Sequence, residues 1–231
     1  MQFQSNIGEL FIVSTPIGNL EDITLRAIRT LKEADLIIAE DTRNFKKLAN
    51  VYQINTPVQS YHDHNEHSKS NDIINKLQSG SKIALVSDAG TPLINDPGYR
   101  LASKAKSLNI KITPIPGASS ILAAIVTTGF AIDQFSFLGF APVKEGQKSK
   151  LFSNIINNNQ TTILLESPHR ILKSLSVLKD IDPQCPVSVC RELTKIHEES
   201  VSGTAEEVFD IFNRRDSIKG EIVMIIGRKL S

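Results

Sequence analysis

Three stretches of this chain combine small, turn-forming and hydroxyl-bearing residues directly after apolar runs: Ser14-Thr15-Pro16-Ile17-Gly18-Asn19-Leu20, Val86 to Gly98, and Pro116-Gly117-Ala118-Ser119-Ser120-Ile121. Loops at the carboxyl ends of parallel strands are where open α/β sheets bind ligands. Gly90 and Gly98 let backbone come close to a ligand, and Pro92 and Pro97 fix the path between them. Ser119 or Ser120 at a helix start offers hydroxyls and free backbone N–H groups, suited to a carboxylate or a ribose, with plain N-capping as the alternative. Two further clusters are charged: Glu166-Ser167-Pro168-His169-Arg170 and Arg191-Glu192-Leu193-Thr194-Lys195. Glu40-Asp41-Thr42-Arg43 reads either as an Asp41 N-cap or as a polar wall for a ligand. His62-Asp63-His64-Asn65-Glu66-His67 invites a metal reading, but its spacing matches no common structural zinc pattern, and a polar, substrate-facing loop fits better.

The elements that position these clusters are legible from periodicity. Leu10–Ser14, Leu36–Ala39 and Ile83–Val86 are short apolar runs without alternation, as strands buried on both faces of a parallel sheet require. Thr24 caps a helix carrying Leu25, Ile28 and Leu31; further helices are expected over 68–77 and 99–107, and a strand over 110–115. Beyond Thr127-Thr128-Gly129 the character changes, which sets a domain boundary at 130, between an N-terminal α/β domain (1–130) and a C-terminal one (131–231). There, Thr161–Leu165 and Pro186–Cys190 are strands. Ser167 as N-cap and Pro168 at the first helical position predict a helix bearing Ile171, Leu172, Leu175 and Leu178. Thr204 with Glu207 forms a capping box, and the last strand runs over 221–226. The first half thus ends its strands in small residues and the second in charged ones, as if one domain cradles a ligand and the other closes over it.

Composition narrows the classes. The chain has 231 residues, 40% hydrophobic and 22% charged, with 26 basic and 25 acidic side chains. That balance does not announce a nucleic-acid binder as a basic domain would. No apolar run is long enough to span a membrane, and the N-terminus lacks a basic-then-apolar leader, so a cytoplasmic protein is expected. Cys185 and Cys190 read as reduced core residues.

The three small-residue loops together resemble the tetrapyrrole methylase superfamily. Within it, Glu40–Arg43, His62–Glu66, Glu166–Arg170 and Arg191–Lys195 are most similar to the ribosomal RNA small subunit methyltransferase I family. The resemblance implies a two-domain α/β fold, each domain a mixed sheet flanked by helices, with S-adenosylmethionine in the interdomain cleft. It implies a homodimer that 2′-O-methylates a cytidine ribose in the decoding centre of 16S ribosomal RNA, in the small ribosomal subunit. Family likeness carries cofactor contacts onto Pro16, Ile17, Asp88, Gly90, Thr91, Ile94, Ser119, Ser120 and Ile121, and no metal.

Methyl transfer to a ribose hydroxyl is an in-line displacement, and the poorly acidic hydroxyl needs a base or a nearby cation. Candidates are Glu166, Glu192 and Lys195, with Arg170 and Arg191 holding phosphates; each could equally be a partner in an ion pair. The chain departs from the family pattern at Ala141, where Leu is common, and at Asp63, where Glu is. It ends soon after Arg228-Lys229, where many members continue into a small helical extension. Two rival readings remain. One is a corrin or porphyrin C-methyltransferase of the same fold, which the charged clusters disfavour. The other is a non-catalytic ribosome-assembly factor.

Overall fold

In the computed structural model, residues 7–62 and 65–228 are described. Asp63 and His64 of the histidine-rich stretch lie outside them. The chain forms two compact units, Met1–Ser119 and Ser120–Ser231. This division falls ahead of the expected boundary at 130 because the short helix Ser120–Ile125 packs on a strand of the second unit rather than closing the first.

The first unit alternates strands and helices: β1 (Glu9–Val13), α1 (Leu25–Glu33), β2 (Leu36–Ala39), α2 (Thr42–Tyr52), β3 (Val58–Ser60), α3 (Glu66–Gln78), β4 (Lys82–Val86), α4 (Tyr99–Ser107) and β5 (Lys111–Ile115). Its sheet has the order β3-β2-β4-β1-β5, and every ladder is parallel. Side chains alternate across a strand, so each strand serves two cores. Val13, Ile37, Ala39, Ala84 and Val86 cluster with Ala27, Leu31, Phe45 and Leu48 of α1 and α2. Leu10, Ile12, Ile38, Ile83 and Leu85 cluster with Ile73, Leu77, Leu101 and Ala105 of α3 and α4. That double burial explains why these strands read as unbroken apolar runs. The connection leaving β1 heads toward β2, and the one leaving β4 crosses the other way to β5. Adjacent strands whose connections diverge leave room at their carboxyl ends, and here the two strands are β4 and β1.

The second unit comprises α5 (Ser120–Ile125), β6 (Phe135–Phe140), α6 (Glu145–Asn158), β7 (Thr161–Glu166), α7 (Ile171–Ile181), β8 (Pro186–Arg191), β9 (Glu199–Thr204), α8 (Ala205–Asn213) and β10 (Ile222–Ile226). Its sheet, β6-β7-β10-β8-β9, is mixed: β6 and β7 run parallel, and the remaining ladders are antiparallel. Phe152, Ile155, Leu175, Leu178, Val208 and Phe212 of α6, α7 and α8 pack on Leu164, Val187, Val189 and Met224. Cys185 and Cys190 are both buried thiols outside any disulfide, and Cys190 Sγ lies 3.8 Å from the Ala124 carbonyl of α5.

Local signals explain most helix ends. Thr24 Oγ1 accepts from Ala27 N, and the capping box is complete, with Thr204 N donating to Glu207 and Glu207 N to Thr204 Oγ1. One start differs from expectation. Ser167 and Pro168 do not open α7: the Ser167 carbonyl accepts from both Arg170 N and Ile171 N, closing a turn first, and the helix begins at Ile171. Two elements, α6 and β9, were not expected at all.

Candidate functional site

In the first unit the expected ligand loops converge on the tips of β4, β1 and β5, three neighbours in the sheet. Past the end of β1, Thr15 and Gly90 exchange two backbone hydrogen bonds, 2.9 and 3.0 Å, in an isolated antiparallel bridge. Ser14 N donates to the Ile115 carbonyl at 3.1 Å, tying β1 to β5. The Ser14 and Thr91 hydroxyls share a 2.9 Å bond, and Thr15 Oγ1 donates to the Ser87 carbonyl at 3.2 Å. The junction is thus stitched from backbone and short hydroxyls.

Its glycines are there for space and for dihedral angle. A Cβ on Gly117 would sit 2.9 Å from Ser14 Cβ, so only glycine lets the β5 loop approach β1 this closely. Gly90 has φ +77°, which favours glycine, while a Cβ there would only touch Ile17 Cγ2 at 3.4 Å. Farther along, Leu93 (φ 73°) and Asn95 (φ 64°) also adopt left-handed backbone, uncommon for such residues and costly unless the surroundings hold them.

Asp88 is fixed from α2. Its Oδ1 accepts from Asp41 N at 3.1 Å, and its Oδ2 from Asn44 Nδ2 at 3.1 Å. A carboxylate accepts about four hydrogen bonds, so these two orient Asp88 without saturating it. Asp41 itself caps α2 through Arg43 N at 2.8 Å, and hydrogen bonds from Arg43 pull its carboxyl down to about 2. Of the two readings of Glu40–Arg43, the cap is the one formed. Asp96, on the same loop, is raised by burial, against a bond from Ser87. Glu66 is no loop residue either: it is buried, and the Tyr61 hydroxyl donates to its carboxylate at 3.1 Å. Burial pushes the Tyr61 phenol well above its ordinary range.

Of the nine expected cofactor residues, Pro16, Ile17, Asp88, Gly90, Thr91, Ile94 and Ser119 belong to the first unit, Ile94 with its side chain about half exposed. Ser120 and Ile121 are the next residues in the chain and open α5 of the second unit. The glycine-bounded junction suits a ligand gripped by backbone and hydroxyls.

In the second unit the charged clusters form three separate networks. At the end of β7, Glu166 is buried, and its carboxylate takes Ser167 N (2.8 Å) and Arg170 Nη2 (2.8 Å) on Oε1. Its Oε2 takes Ser174 Oγ (2.5 Å) and lies 3.5 Å from Lys148 Nζ. Four donors satisfy this carboxylate, and it has no access to a substrate hydroxyl. The expectation of Glu166 as a proton acceptor is therefore corrected: it is the anchor of Arg170, whose side chain is one-quarter exposed and whose guanidinium lies beside the Phe140 ring. Burial pulls the Lys148 ammonium down, against the attraction of Glu166.

After β8, Lys195 Nζ bonds Glu192 Oε1 at 2.9 Å and Glu221 Oε2 at 3.2 Å, while Glu192 also accepts from Glu221 N at 3.0 Å. The bond from Lys195 holds the Glu192 carboxyl below its usual range. Burial alone would lower Lys195, but Glu192 and Glu221 outweigh it and raise the ammonium. The pair therefore stays ionic at neutral pH, a firm cation beside a weak base. In the third network, Arg191 donates to Glu199, to the Lys219 carbonyl and to the His197 carbonyl, and Arg215 grips the same Glu199. Expected to hold phosphates, Arg191 is instead occupied in closing its own loop.

Sequence reasoning missed Lys148, Ser174, Glu199 and Arg215. A signal for the first existed: Lys148 stands four and seven residues before Phe152 and Ile155, on the apolar face of α6. Glu166 likewise stands two residues after Leu164, in phase with the helix-packed face of β7.

The family model for tetrapyrrole (corrin/porphyrin) methylases matches residues 9–208. A ribosomal RNA small subunit methyltransferase I of Halalkalibacterium halodurans is 45% identical over 225 residues, covering 97% of this chain and 78% of the relative. The chain belongs to the ribosomal RNA small subunit methyltransferase I family. Another relative of that name, from Thermotoga maritima, is 39% identical over 223 residues, 96% of this chain and 100% of its own length. Not every member therefore extends beyond the matched region. A crystal structure of diphthine synthase superposes with a TM-score of 0.74 over 96% of this chain and 90% of its own, at 16% identity, and so shares the fold.

Proposed function

We propose that this chain transfers a methyl group from S-adenosylmethionine to the ribose 2′-hydroxyl of a cytidine in the decoding centre of 16S ribosomal RNA, within the small ribosomal subunit. The observation that carries the reading is the junction at Thr15, Gly90 and Gly117, where backbone and short hydroxyls join the carboxyl ends of β4, β1 and β5, in a chain of this methyltransferase family. Backbone of Pro16, Ile17, Gly90 and Thr91, the Asp88 carboxylate, Ile94, and the run Ser119-Ser120-Ile121 are the groups that would hold the cofactor. Bound there, it supplies an electrophilic methyl group on a sulfonium.

The protein then has to align the acceptor and manage its proton. Lys195, kept protonated by Glu192 and Glu221, stabilises the negative charge that develops on the ribose oxygen. Glu192 orients that ammonium; its own carboxyl is held low, so the hydroxyl proton is lost to solvent water as the ribose oxygen accepts the methyl group. Arg170, anchored by Glu166, presents a planar fork to an RNA phosphate. The working form is a cytoplasmic homodimer.

The test is incubation of the protein with labelled S-adenosylmethionine and unmodified small subunits, followed by mapping of the label. Label on one ribose of the decoding centre is expected. Label on a base, or none on RNA, overturns the reading.

A further inference from the structure

One buried cluster carries more charge than its ion pairs explain. Lys148 and Glu166 are both buried, and Glu166 is the carboxylate that both Lys148 and Arg170 face. Lys148 Nζ donates to Ser174 Oγ at 2.6 Å, and that hydroxyl donates to Glu166 Oε2. Two cations thus share one anion, leaving a net charge of one positive unit. The nearby Lys173 is matched separately by Glu145 at 2.8 Å. A buried charge is kept only where something compensates it. The only member of the cluster open to solvent is Arg170, its side chain 26% exposed. Two of its five N–H donors are spent, one on Glu166 and one on the Ala141 carbonyl at 3.4 Å. The others have no partner among the described residues.

We infer that Lys148 is a positioning residue for an RNA-phosphate subsite at Arg170. Through Ser174 it fixes Glu166, and it offsets the charge of Glu166 so that Arg170 meets a phosphodiester as an uncompensated cation. Without Lys148, Glu166 would neutralise Arg170 and the subsite would lose its charge. The inference rests on the reading of the chain as an RNA methyltransferase, and it adds that a side chain with no access to RNA sets the strength of an RNA contact.

The experiment measures binding of unmodified 16S ribosomal RNA, methylation kinetics, and S-adenosylmethionine affinity by calorimetry, in Lys148→Met, Lys148→Arg, Arg170→Ala and the double variant Lys148→Met/Arg170→Ala. Arg170→Ala weakens RNA binding and lowers its salt slope by about one. Lys148→Met weakens RNA binding on the order of tenfold and raises KM with kcat and cofactor affinity unchanged. Lys148→Arg restores binding, and the loss disappears in the Arg170→Ala background. A general structural role would instead add to Arg170→Ala and shift cofactor affinity too. Wild-type RNA affinity in Lys148→Met, with Arg170→Ala impaired, overturns this inference and leaves the proposed function standing. Wild-type affinity in Arg170→Ala removes the subsite and the inference together. Should Lys148→Met fail to fold, Ser174→Ala is read by the same measurements, and unchanged RNA affinity there overturns the proposal.

Discussion

The strand tips of the two units solve the same problem by opposite means. In the first, Ser14, Thr15, Gly90, Thr91 and Gly117 make a surface by removing side chains, and backbone groups do the holding. In the second, Glu166, Arg170, Glu192, Lys195, Arg191 and Glu199 crowd charges together, and most of those charges satisfy each other. A charged cluster at a strand end is therefore not in itself a reactive one. What distinguishes members is which charge remains after the pairs are formed: here, part of Arg170, while Lys195 is matched by both Glu192 and Glu221.

The sharpest way to break the comparison is at Gly90. Gly90→Val places a β-branched residue at φ +77° against Ile17, and left-handed backbone costs an L-residue about 1–2 kcal/mol before any clash. Cofactor binding detectable by calorimetry should vanish; normal affinity would move the pocket elsewhere. Next in size, Glu166→Gln leaves Lys148 buried with its compensation removed, and should lower unfolding free energy in urea by about 3–5 kcal/mol. A loss of activity at full stability would instead restore Glu166 to the chemistry. Lys195→Ala should reduce methylation on the order of a hundredfold with cofactor affinity intact, and unchanged turnover would strike that cluster from the mechanism. Thr204→Ala removes one half of a capping box and should cost about 1 kcal/mol, read as a small drop in Tm.

The smallest effect is a pH dependence. The bond from Arg215 heads the causes that hold Glu199 below its unfolded value of 4.5. A carboxyl lowered on folding stabilises above its unfolded pKa, and that gain is lost as pH falls through its folded value. The stability difference between the wild type and Glu199→Gln should thus be constant at neutral pH and shrink below 4.5. A difference that grows on acidification would contradict the ion pair.

How much of this was legible beforehand follows the same division. The strands and glycine-bearing loops of the first unit could be read because a doubly buried parallel strand leaves an unbroken apolar run and a tight junction leaves glycine. Helix α6 was missed because Glu145, Gly146, Gln147 and Lys150 surround the few apolar positions, and Lys148 occupies a core site that a lysine seldom holds. Strand β9 was missed because Glu199-Ser200-Val201-Ser202-Gly203-Thr204 carries one large apolar residue, its place secured by pairing with β8 instead. The charged motifs gave their residue types but not their partners, since Ser174, Glu199 and Arg215 lie outside the motifs, on other elements than the groups they satisfy.

The two thiols have one more use. Both cysteines of the chain fall in the second unit, buried, and the first unit has none. A maleimide added to native protein can react only when that unit opens, so the rate of alkylation becomes an internal clock for its fluctuations. Slowing of that clock on adding S-adenosylmethionine would reveal, without any label introduced by mutation, that ligation in one half steadies the other.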